Sequence, residues 1–165
     1  MKKVAVIMGS DSDLDAVSDA IRQLKEFEIP FEARIISAHR TPYDAERFAS
    51  SARGDGFGVI IAAAGKAAHL AGVIAAYTTL PVIGLPIKSS TMDGLDSLLS
   101  IVQMPSGVPV ASVAIGGAQN AALLAAQILG VTDETIAEKL SKFKAGMAEK
   151  INAKDKDLQE KITGL

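Results

Sequence analysis

VAVIMGSDSD, residues 4–13, decides the fold: a five-residue apolar run breaks into glycine, serine and aspartate, then leads into an amphipathic segment from Leu14 to Phe27. An apolar run of strand length that does not alternate suits a strand covered on both faces of its sheet. The same unit recurs along the chain. FEARIIS (31–37) reads as a second strand, and Thr41-Pro42 opens a helix through about Arg53. Proline fits that first turn because the N–H it lacks has no helical partner there. GVIIAAA (58–64), PVIGLP (81–86) and VASVAI (110–115) read as three further strands. Helices are expected over 67–77, from about Gly94 to Val102, and from Asn120 to Leu129. Strands apolar on both faces and separated by helices imply a parallel sheet built by right-handed crossovers. The expected fold is a three-layer, doubly wound α/β domain with five strands and helices on both faces.

From Asp133 onward the composition changes. Residues 133–162 hold seven acids and seven lysines, which predicts a charged, solvated C-terminal helix with Thr132 as its N-cap and a frayed end. The chain is read as one domain over 1–165, with an α/β core over 1–130 and this helix over 131–165, packing on a neighbouring subunit.

Length and composition bound what the protein does. At 165 residues there is room for one domain, and 48% hydrophobic against 22% charged residues supports a packed core. Aromatics are only 4% and Ala supplies 27 positions, an apolar surplus that points to burial between subunits. A net charge of −2 gives no wholesale attraction for nucleic acid or anionic lipid. Zero Cys excludes disulfides and thiolate chemistry, and two His exclude a histidine-rich metal site. The apolar run at 4–8 is too short for a secretory signal. The uncharged stretch Ser97–Thr132 is broken by Gln103, Pro105, Gly107, Pro109, Gly116, Gly117, Gln119 and Asn120, so it reads as buried strand and helix rather than a membrane span. A cytoplasmic protein is expected.

Ligands of open parallel sheets bind outside the carboxyl ends of the strands. The loops there are Gly9–Asp13, Ser37–Pro42, Ala64–His69, Pro86–Ser90 and Gly116-Gly117. Both histidines therefore fall on one edge, beside Arg40, Lys66 and Lys88. In the first loop, Gly and Ser before a helix N-terminus offer backbone N–H groups to a phosphate, although no dinucleotide or NTP fingerprint is present. The simpler reading is that Ser12 or Asp13 caps the helix. Acids at 11, 13 and 15 would repel a phosphate if all faced it, so at least one should point elsewhere, and Asp13 could accept from sugar hydroxyls. In the second loop, His39 pairs a side-chain type that titrates near neutrality with a permanent cation able to grip a phosphate, against the simpler reading of a histidine bonded to a backbone carbonyl. His69 reads equally as a core histidine on the pocket wall or as a proton carrier. Met92 and Met104 read as core. Residue types alone support a phosphate-bearing small molecule and acid–base chemistry by one histidine.

The motifs MGSDSD (8–13), SAHRTP (37–42), AGKAAHLAGVIAA (64–76) and LDSLLSIVQMPSGVPVASVAIGGAQNAALLAAQIL (95–129) closely resemble the PurE family, the N5-carboxyaminoimidazole ribonucleotide mutases of purine biosynthesis. The likeness spans Val4 to Leu129 and fits a flavodoxin-like doubly wound sheet. It implies conversion of N5-carboxyaminoimidazole ribonucleotide to 4-carboxy-5-aminoimidazole ribonucleotide without metal or other cofactor, in a homo-octamer. It also implies His39 as the general acid/base, and phosphate and ribose contacts from Ser10, Ser12, Asp13 and Arg40. Ser37, Ala38, Lys66, Ala67, His69 and Leu70 would line the space around the base and the migrating carboxylate. The chain departs from the family at Lys66, where glycine is usual, and at Ala71, where proline is usual. One competing reading is a direct aminoimidazole ribonucleotide carboxylase using CO2, or a related heteroaromatic carboxylase; AAHL at 67–70 favours the mutases. The other is a non-catalytic flavodoxin-like or receiver-like binding module. It is disfavoured because strand three ends in AAAGK without an acid, and because few aromatics are available to hold a flavin.

Overall fold

The computed structural model describes residues 1–90 and 92–164. Strands and helices alternate through the core: β1 (Lys3–Met8), α1 (Leu14–Glu26), β2 (Phe31–Ile35), α2 (Pro42–Ser51), β3 (Phe57–Ala64), α3 (Leu70–Tyr77), β4 (Val82–Pro86), α4 (Leu95–Val102), β5 (Ala111–Ser112) and α5 (Ala118–Gly130). A 30-residue helix, α6 (Glu134–Thr163), follows. The five strands form one parallel sheet in the order β2-β1-β3-β4-β5, the flavodoxin-like topology.

The apolar runs work as expected in the sheet centre. Val4, Val6 and Met8 of β1 join Val59, Ile61 and Ala63 of β3 in a core closed by α1 and α5. The alternate residues Ala5, Ile7, Ile60, Ala62 and Ala64 face a second core closed by α2, α3 and Ile101 of α4. Small residues permit the close fit: a Cβ on Gly84 would lie 2.3 Å from Ile101 Cγ2 and 3.0 Å from Val110 Cγ1.

The margins differ from expectation. β2 is an edge strand whose residues 32–35 are exposed, with Lys3 paired to Glu32; it is not apolar-covered on both faces. The charge on this edge discourages pairing with another chain. β5 holds only two residues, because the hydrogen bonds beyond it become irregular: Val113 N–H reaches the Gly84 carbonyl at 3.1 Å and Gly116 N–H the Pro86 carbonyl at 2.9 Å. Met92 is 61% exposed rather than core, since the chain there leaves the sheet in left-handed geometry at Met92, Asp93 and Gly94. Thr132 does not cap α6; Asp133 does, its carboxylate accepting from Ile136 N–H at 3.3 Å. Helix α6 runs unbroken to Thr163. Its first turns are held by buried Ile136, by Phe143 edge-on to Phe27, and by Lys139, which donates to the Phe27 carbonyl and pairs with Glu28. No helix among the described residues is long and apolar enough to cross a membrane.

Candidate active site

The strand order sets the site. The chain turns outward from β1 to β2 on one side and to β3 on the other, so the loops after β2, β1 and β3 stand side by side at the switch point where a crevice opens. A cavity of about 650 Å³ lies there. Ser10, Ser12 and Asp13 line it from the first loop, Ser37, Ala38, His39 and Arg40 from the second, and Lys66, Ala67, His69 and Leu70 from the third. The eleven residues expected at the site thus face one space. The fourth loop adds Ile87, Lys88, Ser89 and Ser90. These four lie outside the expected site, and their position after β4 is the signal for them. Gly116 and Gly117 are not in the lining.

Asp13 holds the N-cap position of α1 without a side-chain hydrogen bond to it, and Ser10 caps the 3-10 turn Asp11–Asp13 that precedes the helix. The Ser10 hydroxyl oxygen accepts from Ser12 N–H at 3.4 Å and from the Ser12 hydroxyl at 3.0 Å, while it donates to Asp11 at 3.0 Å. Of Asp11, Asp13 and Asp15, only Asp13 lines the cavity. Partial burial pushes its carboxyl above the usual range. Donors from the Ser10 backbone, the Ser12 hydroxyl and the Gly9 backbone, together with Arg40, act in the opposite direction.

The second loop is internally braced. Ser37 N–H donates to Thr41 Oγ1 at 3.0 Å, and the Thr41 hydroxyl donates to the Ser37 carbonyl at 3.1 Å. Arg40 spans the first two loops, its Nη2 donating to the Gly9 carbonyl at 2.9 Å and its Nε to Ser37 Oγ at 3.4 Å. This holds a planar cation beside the Ser10–Ser12 turn, a pairing suited to an anionic oxygen cluster.

His39 bonds across to the third loop and not to a backbone carbonyl. Its Nε2 lies 3.0 Å from His69 Nδ1, and the rings meet edge to face at 85° with centroids 5.1 Å apart. One nitrogen must donate and the other accept, so one proton occupies that line. His69 is exposed, which removes its reading as a core histidine. The third loop holds Lys66, its second residue after β3, in the left-handed region, φ 55°, where an L-residue other than glycine costs about 1 kcal/mol. Short-range bonds follow, Ala68 N–H to the Lys66 carbonyl at 2.8 Å and His69 N–H to the Ala67 carbonyl at 2.9 Å. They delay α3 to Leu70 rather than 67. On the fourth loop Lys88 pairs with Asp93 at 2.8 Å, which raises the pKa of its ammonium.

The family model described as AIR carboxylase matches residues 3–150. The chain belongs to the AIR carboxylase family. Within this family, the N5-carboxyaminoimidazole ribonucleotide mutase of Pyrococcus horikoshii is 58% identical over 157 residues, covering 95% of this chain and 89% of the relative. The phosphoribosylaminoimidazole carboxylase of Candida glabrata is 56% identical over 140 residues, covering 85% of this chain but 25% of that longer protein. The crystal structure of Treponema denticola PurE superposes with a TM-score of 0.87 at 32% identity, covering 94% of this chain and 97% of that one.

Proposed function

We propose that this member of the AIR carboxylase family is an N5-carboxyaminoimidazole ribonucleotide mutase of purine biosynthesis. It moves a carboxylate from the exocyclic nitrogen of the imidazole to the ring carbon. The observation that carries the reading is the His39–His69 contact in a cavity that also presents Arg40, in a chain 58% identical to a protein named as that mutase.

The chemistry follows from these groups. His39 donates a proton to the carbamate nitrogen as the C–N bond breaks; the bonding pair stays on nitrogen and the carboxylate leaves as neutral CO2. The ring carbon attacks that CO2 and then loses its proton to His39, which ends as it began. The small residues Ala64, Gly65 and Ala67 in the lining keep CO2 beside the ring, so recapture is effectively intramolecular. Arg40, Ser10 and Ser12 hold the phosphate, and Asp13 accepts from ribose hydroxyls. Ser37, Ala38, Lys66, Ala67, His69 and Leu70 surround the base and the carboxylate. The mechanism draws on no metal or cofactor.

Assembly follows from α6. Its outer part exposes Met147, Ile151, Leu158 and Ile162, spaced at helical intervals along one stripe. In the proposed homo-oligomer, an octamer, this stripe packs on a neighbouring subunit, and sedimentation of the full chain against one ending before Met147 tests that.

The test of function is a paired assay. One reaction holds N5-carboxyaminoimidazole ribonucleotide without bicarbonate, the other aminoimidazole ribonucleotide with excess bicarbonate. Fast product from the first only is expected. The reverse order would make the protein a direct carboxylase, and product from neither would favour a binding module. Complete exchange of labelled CO2 from the medium during turnover would overturn the trapped-CO2 route.

A further inference from the structure

Three cations line the cavity, and two are engaged. Arg40 bridges the first and second loops through the Gly9 carbonyl and Ser37 Oγ, and Lys88 is paired with Asp93. Lys66 has no ion pair or side-chain hydrogen bond among the described residues, and the one carboxylate in the lining, Asp13, belongs to the opposite loop. Lys66 also holds a backbone conformation, φ 55°, that glycine would adopt without penalty. Strain kept at a pocket-lining residue points to a role for its side chain. The position identifies that role: Lys66 lies in the same loop that carries His69, and His69 touches His39. Lys66 therefore belongs to the reacting end of the cavity, away from the Ser10–Ser12 turn that takes the phosphate.

We infer that Lys66 is a specificity-determining residue whose ammonium binds the carboxylate of the carboxylated nucleotide. This rests on the mutase reading above. The carboxylate carries charge in substrate and product but not as CO2. A cation there stabilises both end states and leaves the intermediate alone, so it tightens substrate binding and raises the barrier from bound substrate to CO2.

The experiment is titration calorimetry of wild type, Lys66→Met and Lys66→Gly with 4-carboxy-5-aminoimidazole ribonucleotide and with aminoimidazole ribonucleotide, which lacks the carboxylate. Both substitutions remove the charge. Lys66→Gly also relieves the left-handed backbone and serves as the folded control should Lys66→Met be unstable. Loss of one charged contact should weaken the carboxylated nucleotide about tenfold and leave the other within about twofold. The KM for N5-carboxyaminoimidazole ribonucleotide should rise by a similar factor and kcat should rise with it. Equal weakening of both nucleotides would overturn the assignment in favour of a phosphate contact. No change in either would make Lys66 a solvent-facing lysine. If wild type bound neither nucleotide, the mutase reading itself would fall, and this assignment with it.

Discussion

His39 and His69 are thirty residues apart in sequence, yet their Nε2 and Nδ1 atoms meet at 3.0 Å across the mouth of β1. The contact fixes the ring that would exchange a proton with substrate, because each imidazole orients the other and a single proton serves both facing nitrogens.

That coupling sets the first prediction. His39→Asn should lower kcat by about 10²–10⁴, the usual worth of a positioned acid–base group. His69→Asn should cost about 10–10² through misorientation of His39. The double variant should be little worse than His39→Asn alone, since residues acting as a unit are not additive. Steady-state rates decide it: fully multiplicative losses would show that the rings act independently.

Arg40 reaches the Gly9 carbonyl and Ser37 Oγ with different nitrogens of one planar group. Lysine offers a point charge and cannot reproduce that geometry. Arg40→Lys should raise the KM of the nucleotide about tenfold, with a smaller effect on kcat. An unchanged KM would remove Arg40 from phosphate binding.

Asp13 gives a signed pH dependence. Burial raises its carboxyl above the ordinary 3.8. Between that value and the raised one, the native state holds more protons than the unfolded state. Stability from this group therefore falls as pH rises through the window, and the deficit is complete above it. Asp13→Asn should match or exceed wild type in Tm at pH 7, and the difference should shrink on acidification towards pH 4. Thermal scans across that range test it, and a variant less stable than wild type at pH 7 would contradict the sign. Nucleotide binding should weaken in the same variant, because Asn offers one acceptor oxygen where the carboxylate offers two.

Gly84 sits in β4 against Ile101 and Val110, with no room for a Cβ. Gly84→Ala should destabilise by about 1–3 kcal/mol through overpacking. A denaturant midpoint unchanged from wild type would mean that α4 shifts freely off the sheet.

Ser97 is fully buried, with its hydroxyl 2.8 Å from the Ile87 carbonyl and 2.7 Å from the Gly94 carbonyl. It ties α4 to the loop that completes the cavity. Ser97→Ala should cost about 1–3 kcal/mol, because buried carbonyls lose their donor. Hydrogen exchange should accelerate first at residues 87–90 and 92–95.

The layered fold is legible in the residues themselves, because short unbroken apolar runs such as VAVIM and GVIIAAA, flanked by glycine and rich in β-branched residues, suit strands covered on both faces. The edge that holds the cavity is legible too, because in a parallel sheet every loop after a strand emerges on the same side; the eleven residues expected at the site, from Ser10 to Leu70, line the cavity there. Local pattern misread the margins. FEARIIS looks like a covered strand, but its place at the sheet edge leaves Ile35 exposed, and Thr132 and Asp133 are both competent caps until the backbone selects Asp133. The His39–His69 contact, the bridge from Arg40 to Gly9 and the entry of Ile87–Ser90 into the lining depend on the order β2-β1-β3-β4. Periodicity within a segment carries no information about which segment lies beside it. Only the packing of helices onto both faces chooses that neighbour, and with it the partner of each histidine.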